Sequence, residues 1–231
     1  PSTGRIPAVR VTKVAGSYWH GDAKSRQLQR VYGTAWASEA ELELHLKRIE
    51  DAKERDHRKL GRDLDLFSFH ELAPGIAFWH PNGMIVYNEI LGYVREFFRT
   101  NGYLEVRTPQ LFGNDLWKKS GHWDAFREKM FFSENEDRSY GVKPMNCPGH
   151  CLLFQTSQHS YRELPLRYAE LTTLHRAEPS GTLHGILRVR GFTQDDAHIY
   201  CSEDQIAGEL EAALKLREKV YKDFGFDEVR Y

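Results

Sequence analysis

Arg176 and Arg188 lie at the two ends of a loop that joins two segments rich in β-compatible residues. These segments, 166–174 and 192–200, predict two antiparallel strands. The connection between them is long for a hairpin, and long connections in compact domains are commonly functional. Turn geometry within it is supplied by Pro179, Gly181 and Gly185. Two guanidiniums that face each other across such a hairpin predict a clamp for phosphate.

The same residues resemble a known motif. Arg-x-Glu at 176–178, a variable loop and Arg-Gly-Phe at 190–192 are similar to motif 2 of the class II aminoacyl-tRNA synthetases. The sequence Arg-Val-Arg-Gly-Phe-Thr-Gln-Asp-Asp-Ala-His at 188–198 resembles that of the threonyl-tRNA synthetase family in particular. The resemblance implies an α+β fold with an antiparallel sheet flanked by helices. It also implies an aminoacyl-tRNA ligase that activates threonine with ATP and transfers it to tRNA(Thr).

The resemblance assigns an ATP site to motif 2. Amino-acid activation brings two anions together, so positive charge and Mg²⁺ on the phosphates must offset their repulsion. Arg176 is the expected catalytic residue at the α-phosphate, because its planar guanidinium can both hold the phosphate in position and neutralise its charge. By resemblance, Glu178 accepts from the adenine amino group, Arg188 lies near the phosphates and Phe192 stacks on adenine. The simpler alternative is a surface salt bridge between Arg176 and Glu178.

An amino-acid pocket is expected beside the ATP site. Cys147 and His198 offer one soft sulfur and one imidazole, which suit zinc, and a binding site with an open position needs three protein ligands. The resemblance implies a third ligand, a histidine downstream of this chain, and a zinc ion that holds the amino and hydroxyl groups of threonine. It also implies that Asp196 accepts from the hydroxyl while Gln194 and Met145 shape the pocket. Such a site rejects isosteric valine, which leaves a polar group or a metal position unpaired. The simpler alternative for His198 is a buried strand histidine.

The segment 143–150 must present Cys147 to this pocket. Pro144 and Pro148 predict an extended backbone followed by a helix through Cys151, Leu152 and Phe154. A helix N-terminus favours a thiolate, so the pKa of Cys147 is expected to be lowered. No role is assigned to the remaining histidines of this region, His150, His175 and His184.

Upstream of the site, apolar spacing predicts an amphipathic helix over 84–100 and a strand over 103–109 that ends in Pro109. Proline cannot donate to a ladder and so belongs at an edge or an interface. Helix, strand and proline resemble class II motif 1, which implies a homodimer formed through Met84–Pro109. A further amphipathic helix is predicted over 206–224.

The chain divides into three predicted segments. Residues 1–37 hold short strand-like pieces cut by glycines and resemble the tail of an editing-type N-terminal domain. Ser38 and Glu41 form a capping box that opens a charged linker helix over 38–63. Residues 64–231 are the expected catalytic core, with motifs 1 and 2 but without motif 3. We therefore expect a fragment that is incomplete at the C-terminus and weakly active or inactive by itself.

The composition of the chain restricts the class of protein to which it can belong. With 231 residues, 40% hydrophobic and a formal net charge of -1, the chain is typical of a soluble globular protein rather than a cation that coats nucleic acid. Three cysteines form neither a disulfide framework nor a paired zinc ribbon, which indicates reduced thiols. The sequence contains no long apolar run and no signal pattern, so we expect a cytoplasmic protein without a membrane partner.

Two alternative functions stay open at this point. A synthetase-derived binding or regulatory module would keep the fold and lose the chemistry, and the presence of Arg176 speaks against it. A related class II synthetase for proline or serine would share motif 2. The pairing of Cys147 with His198 favours threonine over those substrates.

Overall fold

The computed structural model describes Gly4 and residues 6–226, which divide into two compact units, Pro1–Asp63 and Leu64–Tyr231. The first unit opens with an antiparallel hairpin of β1 (Ala8–Tyr18) and β2 (Gln27–Trp36). Gly16 and Gly33 lie inside these continuous strands, so the prediction that they cut the segment is wrong. Gly33 pairs with Val11 where the register shifts, and a Cβ there would lie 3.0 Å from the Arg10 carbonyl oxygen. The glycine thus accommodates a β-bulge.

Helices complete the first unit. Helix α1 (Glu39–Glu54) begins at Ser38, whose Oγ accepts from the Glu41 backbone N–H at 3.2 Å, as the predicted cap requires. A second helix, α2 (His57–Asp63), follows after a break. The break occurs at Asp56, which accepts from the Arg58 backbone N–H at 2.8 Å. The charged segment is therefore two helices rather than the one predicted.

The second unit contains thirteen of the helices and strands defined in the described residues. In chain order they are β3 (Phe67–Ser68), β4 (Phe78–Trp79), α3 (Pro81–Thr100), β5 (Leu104–Glu105), β6 (Leu111–Gly113), α4 (Asn114–Lys119), α5 (His122–Phe126), β7 (Phe132–Asn135), β8 (Arg138–Val142), α6 (Cys147–Gln155), β9 (Leu166–His175), β10 (Gly191–Tyr200) and α7 (Ile206–Asp223). Short 3-10 turns connect several of these elements.

The central sheet of this unit has the order β10-β9-β5. Strands β9 and β10 are antiparallel over their whole length, from Gly191 opposite His175 to Tyr200 opposite Leu166, which confirms the predicted pair. Strand β5 pairs with β9 in parallel and covers only two residues, so the predicted strand up to Pro109 is too long. A second, antiparallel sheet has the order β6-β8-β7. The fold is α+β with mainly antiparallel pairing, as predicted.

Helices cover both faces of the central sheet. On one face, the Tyr87 hydroxyl of α3 donates to Thr193 Oγ1 at 2.6 Å, and Arg167 of β9 bonds Glu209 of α7 at 2.6 Å. On the other face, Phe154 of α6 stacks on Tyr200 of β10 with ring centroids 4.1 Å apart. Because neighbouring strand residues point to opposite faces, the side chains of β9 and β10 divide cleanly between these two environments.

The apolar core of the second unit lies along β9 and under the second sheet. Ala169, Leu171 and Leu174 are buried, and Trp117 of α4 is fully enclosed. Gly141 leaves room for this indole, since a Cβ there would lie 2.5 Å from Trp117 Nε1. None of the helices in the described part of the chain has the length and apolar character that a bilayer crossing needs.

Candidate active site

Alternate residues of β10 form the floor of the site. Phe192, Gln194, Asp196, His198 and Tyr200 share one face of the sheet because side chains repeat every two residues along a strand. Four of the sequence-predicted site residues are therefore on one surface. The start of α6 lies over this surface and makes the contacts described next.

Three contacts fix α6 on the floor. Asn146 Nδ2 donates to Asp196 Oδ2 at 3.1 Å, the Nδ1 atoms of His150 and His198 are 2.8 Å apart, and Phe154 stacks on Tyr200. The contacting residues 146, 150 and 154 are four apart, which is one helical turn, and they meet β10 residues two apart. The helix follows Pro144, as predicted, with Asn146 as its N-cap and a proline in its first turn. The backbone of Asn146 is already helical, at φ -89 and ψ -17, so the prediction of an extended segment around Asn146 and Cys147 is wrong.

Cys147 lies half-buried at the first position of α6. Burial raises the pKa of its thiol, and the Asp196 carboxylate raises it further. The expectation of a lowered pKa is therefore wrong, because loss of hydration and a nearby negative charge outweigh the helix N-terminus. Burial lowers the pKa of His198, against the opposing charge of the same Asp196. Both predicted metal ligands thus lie within the electrostatic reach of Asp196.

The described residues contain no group of three or more His, Cys, Asp or Glu side chains arranged to hold a metal ion. Cys147 and His198 therefore have no third ligand of these types beside them in the part of the chain that the structure describes, and the zinc site stays a prediction. The other two residues predicted for the pocket differ in their exposure. Met145, which precedes the α6 cap, is half-buried, and Gln194 is exposed.

Arg176 lies beyond the end of β9, next to Phe192. Its guanidinium carbon is 5.1 Å from the centroid of the Phe192 ring, and its Nε donates to the Pro144 carbonyl oxygen at 3.3 Å. The residue opposite Arg176 is Arg190, whose carbonyl oxygen accepts from the Arg176 backbone N–H at 2.8 Å. The prediction that Arg176 and Arg188 face each other is therefore wrong.

Arg188 instead forms an ion pair with Glu178. Its Nη2 donates to Glu178 Oε2 at 2.9 Å, and this hydrogen bond lowers the pKa of the buried Glu178 carboxyl. The simpler alternative, a salt bridge between Arg176 and Glu178, is not formed: among the described residues the ion-pair partner of Glu178 is Arg188. The two motif 2 residues predicted to contact opposite ends of ATP therefore contact each other.

Arg190 holds the motif 2 loop together, a role that the sequence did not predict. Its Nε donates to the Glu178 carbonyl oxygen at 2.8 Å, and its Nη2 donates to Ser180 Oγ at 3.1 Å. Its own backbone N–H donates to the Gly75 carbonyl oxygen at 2.6 Å. Gly75 has φ +77, and a Cβ there would meet Leu183 at 3.0 Å. The segment before β4 is thereby joined to the motif 2 loop.

A buried polar network lies under the start of α6. Glu170 of β9, 1% exposed, accepts from Lys143 Nζ at 2.8 Å, His150 Nε2 at 2.9 Å, Thr108 N at 2.9 Å and Thr108 Oγ1 at 2.8 Å. Burial alone would raise the pKa of Glu170, but the hydrogen bonds from His150, Lys143 and Thr108 lower it to about 2. The carboxylate is therefore ionised and its acceptor sites are filled.

Sequence reasoning missed this network, although one signal was available. Glu170 is an acid in the middle of a β-segment whose neighbours are apolar, and a buried carboxylate requires partners. Those partners, Lys143 and His150, lie 27 and 20 residues away in the chain, so sequence spacing alone does not connect them.

Comparison with known proteins first defines the class. The family described as tRNA synthetase class II core domain (G, H, P, S and T) matches residues 128–231. A prolyl-tRNA synthetase from Giardia lamblia, solved in complex with prolyl-adenylate, matches 75% of the chain at a TM-score of 0.67, over 36% of that structure. At 19% identity this likeness concerns the fold alone.

Nearer relatives narrow the class. The chain is 56% identical over all of its 231 residues to a threonine–tRNA ligase from Bordetella pertussis. The RNA binding domain of threonyl-tRNA synthetase from Cryptosporidium parvum matches 74% of the chain at 47% identity and a TM-score of 0.72, over 43% of that structure. The chain therefore belongs to the class II aminoacyl-tRNA synthetases, in the threonine–tRNA ligase family. It spans 36% of the length of the Bordetella relative.

Proposed function

We propose that this chain carries a site that activates threonine with ATP, as the first step of joining threonine to tRNA(Thr). The threonine carboxylate attacks the α-phosphorus of ATP, pyrophosphate leaves, and the threonyl group of the adenylate then passes to the tRNA. Arg176 is the observation that supports this proposal most directly, because its guanidinium contacts both Phe192 and the Pro144 carbonyl oxygen. The Arg176 side chain thus connects Phe192, the proposed adenine contact, to the loop that leads to Cys147.

On the ATP side, Arg176 would neutralise charge that grows on the α-phosphate as the carboxylate attacks. Phe192 would stack on adenine. Glu178 would accept from the adenine amino group through Oε1, since Arg188 engages Oε2. Arg188, which is half exposed in its side chain, would reach the outer phosphates from this position, with Mg²⁺ on the same phosphates. Enzymes of this family use ATP and divalent metals.

On the amino-acid side, Cys147 and His198 would hold zinc together with a third ligand. The donor set fits this metal, because thiolate sulfur and imidazole nitrogen are the ligands that zinc prefers. His198 has Nδ1 engaged with His150, so Nε2 is the nitrogen for the metal. Bound zinc would supply a Lewis-acid position for the amino and hydroxyl groups of threonine.

Discrimination against valine would come from the polar side chains of the pocket. Asp196 would accept a hydrogen bond from the threonine hydroxyl, while Asn146 holds the carboxylate in place at 3.1 Å. Met145 and Gln194 would shape the amino-acid pocket. A valine side chain would leave Asp196 without that donor, and leaving such a group unpaired in a site costs far more than the loss of one methyl contact.

Residues 64–231 would form the catalytic core, preceded by an editing-type tail over 1–37 and the helical linker over 38–63. The core would pair with a second copy through Met84–Pro109. Apolar side chains on α3 support this assignment: Met84, Ile85, Val86 and Ile90 are exposed in the single chain. The surface is typical of one that a partner subunit covers.

Threonine-dependent exchange of pyrophosphate into ATP tests the proposal, with valine as the competing amino acid and zinc content measured on the same samples. In the intact protein we expect exchange with threonine and rejection of valine. Cys147→Ser should lower zinc content and threonine activation together. Cys201→Ser is the matched control, since Cys201 is a half-buried cysteine with no assigned role.

Two results would argue against the proposal. Absence of exchange with threonine in the intact protein would favour a synthetase-derived binding or regulatory module. Exchange with proline or serine instead of threonine would favour a different substrate on the same fold. Unchanged zinc content in both Cys147→Ser and His198→Ala would remove the metal assignment alone.

A further inference from the structure

His150 is a buried histidine to which the proposed reaction gives no role. Its side chain is 0% exposed, and both of its ring nitrogens have protein partners. Nε2 is 2.9 Å from Glu170 Oε2, and Nδ1 is 2.8 Å from His198 Nδ1. The two imidazoles meet edge to face, with an interplanar angle of 80° and ring centroids 4.7 Å apart. Such an arrangement constrains where each ring carries its proton.

The proton positions follow from hydrogen-bond arithmetic. Glu170 is ionised and can only accept, so His150 Nε2 carries a proton and donates it. Between the two Nδ1 atoms, 2.8 Å apart, one nitrogen must be protonated and the other must accept. If His150 is neutral, its Nδ1 is the acceptor and His198 carries the Nδ1 proton. The remaining nitrogen of a neutral His198, Nε2, then has a free lone pair.

The carboxylate that faces His150 already has a cation as its partner. Lys143, which is 0% exposed, already neutralises Glu170 at 2.8 Å. A second buried cation in the same shell would have no acid of its own there, and an uncompensated buried charge costs several kcal/mol. The other acid near His198 is Asp196, which is only partly buried and already accepts from Asn146. A single proton shared between the two Nδ1 atoms then gives both ring nitrogens of His150 a hydrogen-bond partner.

We propose that His150 is a positioning residue for His198: held by Glu170, it accepts the Nδ1 proton of His198 and so fixes the tautomer in which Nε2 offers its lone pair to a metal ion. The inference rests on the proposed zinc site, and it assigns to Lys143, Thr108 and Glu170 the role of holding His150. A metal-ligating histidine commonly donates its other ring N–H to a carboxylate or a carbonyl oxygen, which sets its ring orientation and the metal affinity. Here a second histidine is inserted between the carboxylate and the ligand.

The first test uses the metal-free protein with ¹⁵N-labelled histidine and reads the tautomer of His198 directly from its ring nitrogen shifts. The His198 signals are identified by their loss in His198→Ala. We expect a protonated Nδ1 and an unprotonated Nε2. A His198 ring protonated at Nε2 would overturn the proposal, and no variant of His150 is needed to see it.

The second test compares zinc affinity among variants of His150. His150→Phe keeps the ring shape and removes both nitrogens, so zinc should bind roughly 10- to 100-fold more weakly. His150→Asn keeps an acceptor near the Nδ1 position and should recover part of the affinity. His159→Phe is the matched control, since His159 is a half-buried, stacked histidine on the other side of Phe154.

Failure of this inference differs from failure of the proposed function. If His198→Ala leaves zinc affinity unchanged, the metal assignment falls, while the tautomer measurement still decides whether His150 fixes the ring. If His198→Ala abolishes zinc binding but His150→Phe binds zinc as tightly as the parent, the site stands and the positioning role is overturned. Equal affinity in His150→Asn and His150→Phe would likewise show that an acceptor at this position does not matter.

Discussion

Glu170 and Asp196 are direct partners across the β9–β10 ladder, so two carboxylates lie side by side on the face that carries the site. Like charges in this position repel and destabilise a sheet. The structure resolves the repulsion by giving each acid its own partners: Lys143, His150 and Thr108 for Glu170, and Asn146 for Asp196. Because Lys143 neutralises Glu170, Asp196 can keep its negative charge beside it and face the proposed amino-acid pocket.

Acid should destabilise the second unit through Glu170. Its pKa is lowered in the folded chain from 4.5 to about 2, so the ionised form contributes stability that is fully present above pH 4.5 and is lost as the pH falls towards 2. The full linkage amounts to roughly 3 kcal/mol. Urea unfolding between pH 6 and pH 2 measures it. In Glu170→Gln this pH dependence should be weaker than in the parent, and an identical pH profile would contradict the assignment.

Removing one member of the buried pair should be costly. Lys143→Met leaves Glu170 as an uncompensated buried anion, which should lower the free energy of unfolding by about 3–5 kcal/mol. The double variant Lys143→Met with Glu170→Met should recover much of that loss, because no isolated charge remains. Lys215→Met is the control: its ion pair with Glu211 is exposed and screened by solvent, so its removal should leave stability close to that of the parent. Denaturant midpoints of the four proteins provide the measurement.

Arg176 should matter for the rate more than for ATP binding. Arg176→Ala is expected to lower the rate of threonyl-adenylate formation roughly a hundredfold or more, because the charge that it neutralises grows in the transition state. Arg176→Lys should restore little, since an ammonium lacks the planar fork. Single-turnover adenylate formation at saturating ATP separates rate from affinity. Arg62→Ala, which removes an exposed arginine paired with Asp63 and lies outside the proposed site and dimer segment, should behave as the parent.

The sequence alone predicts that several candidate site residues share one surface, because their placement depends on strand periodicity. Phe192, Gln194, Asp196 and His198 are two residues apart, so a correctly predicted strand places them on one face. The position of α6 after Pro144 was predicted from local backbone preferences, although Asn146 and Cys147 are helical where an extended backbone was predicted.

What the sequence did not reveal depends on tertiary contacts. The residue opposite Arg176 is set by where the β9–β10 ladder ends, which loop composition does not specify. The pKa of Cys147 is raised because burial and Asp196 outweigh the helix N-terminus, and burial is known only once the chain is folded. Glu170 likewise acquires its lysine and histidine from segments far away in the sequence.

Two glycines of α3 offer a sharp test of the packing that leads into the proposed dimer helix. A Cβ at Gly83 would lie 1.9 Å from the Leu66 carbonyl oxygen, an atom that also accepts from the His80 backbone N–H at 3.0 Å. Gly83→Ala must therefore displace backbone and should destabilise the protein by about 1–3 kcal/mol. Gly92 lies in the same helix, and a Cβ there would meet no atom within 4 Å, so Gly92→Ala should stabilise by up to about 1 kcal/mol through helix propensity. Opposite shifts in the thermal midpoint of the two variants are expected, and a loss of stability in Gly92→Ala at concentrations where the protein is dimeric would indicate that the partner subunit packs against that position.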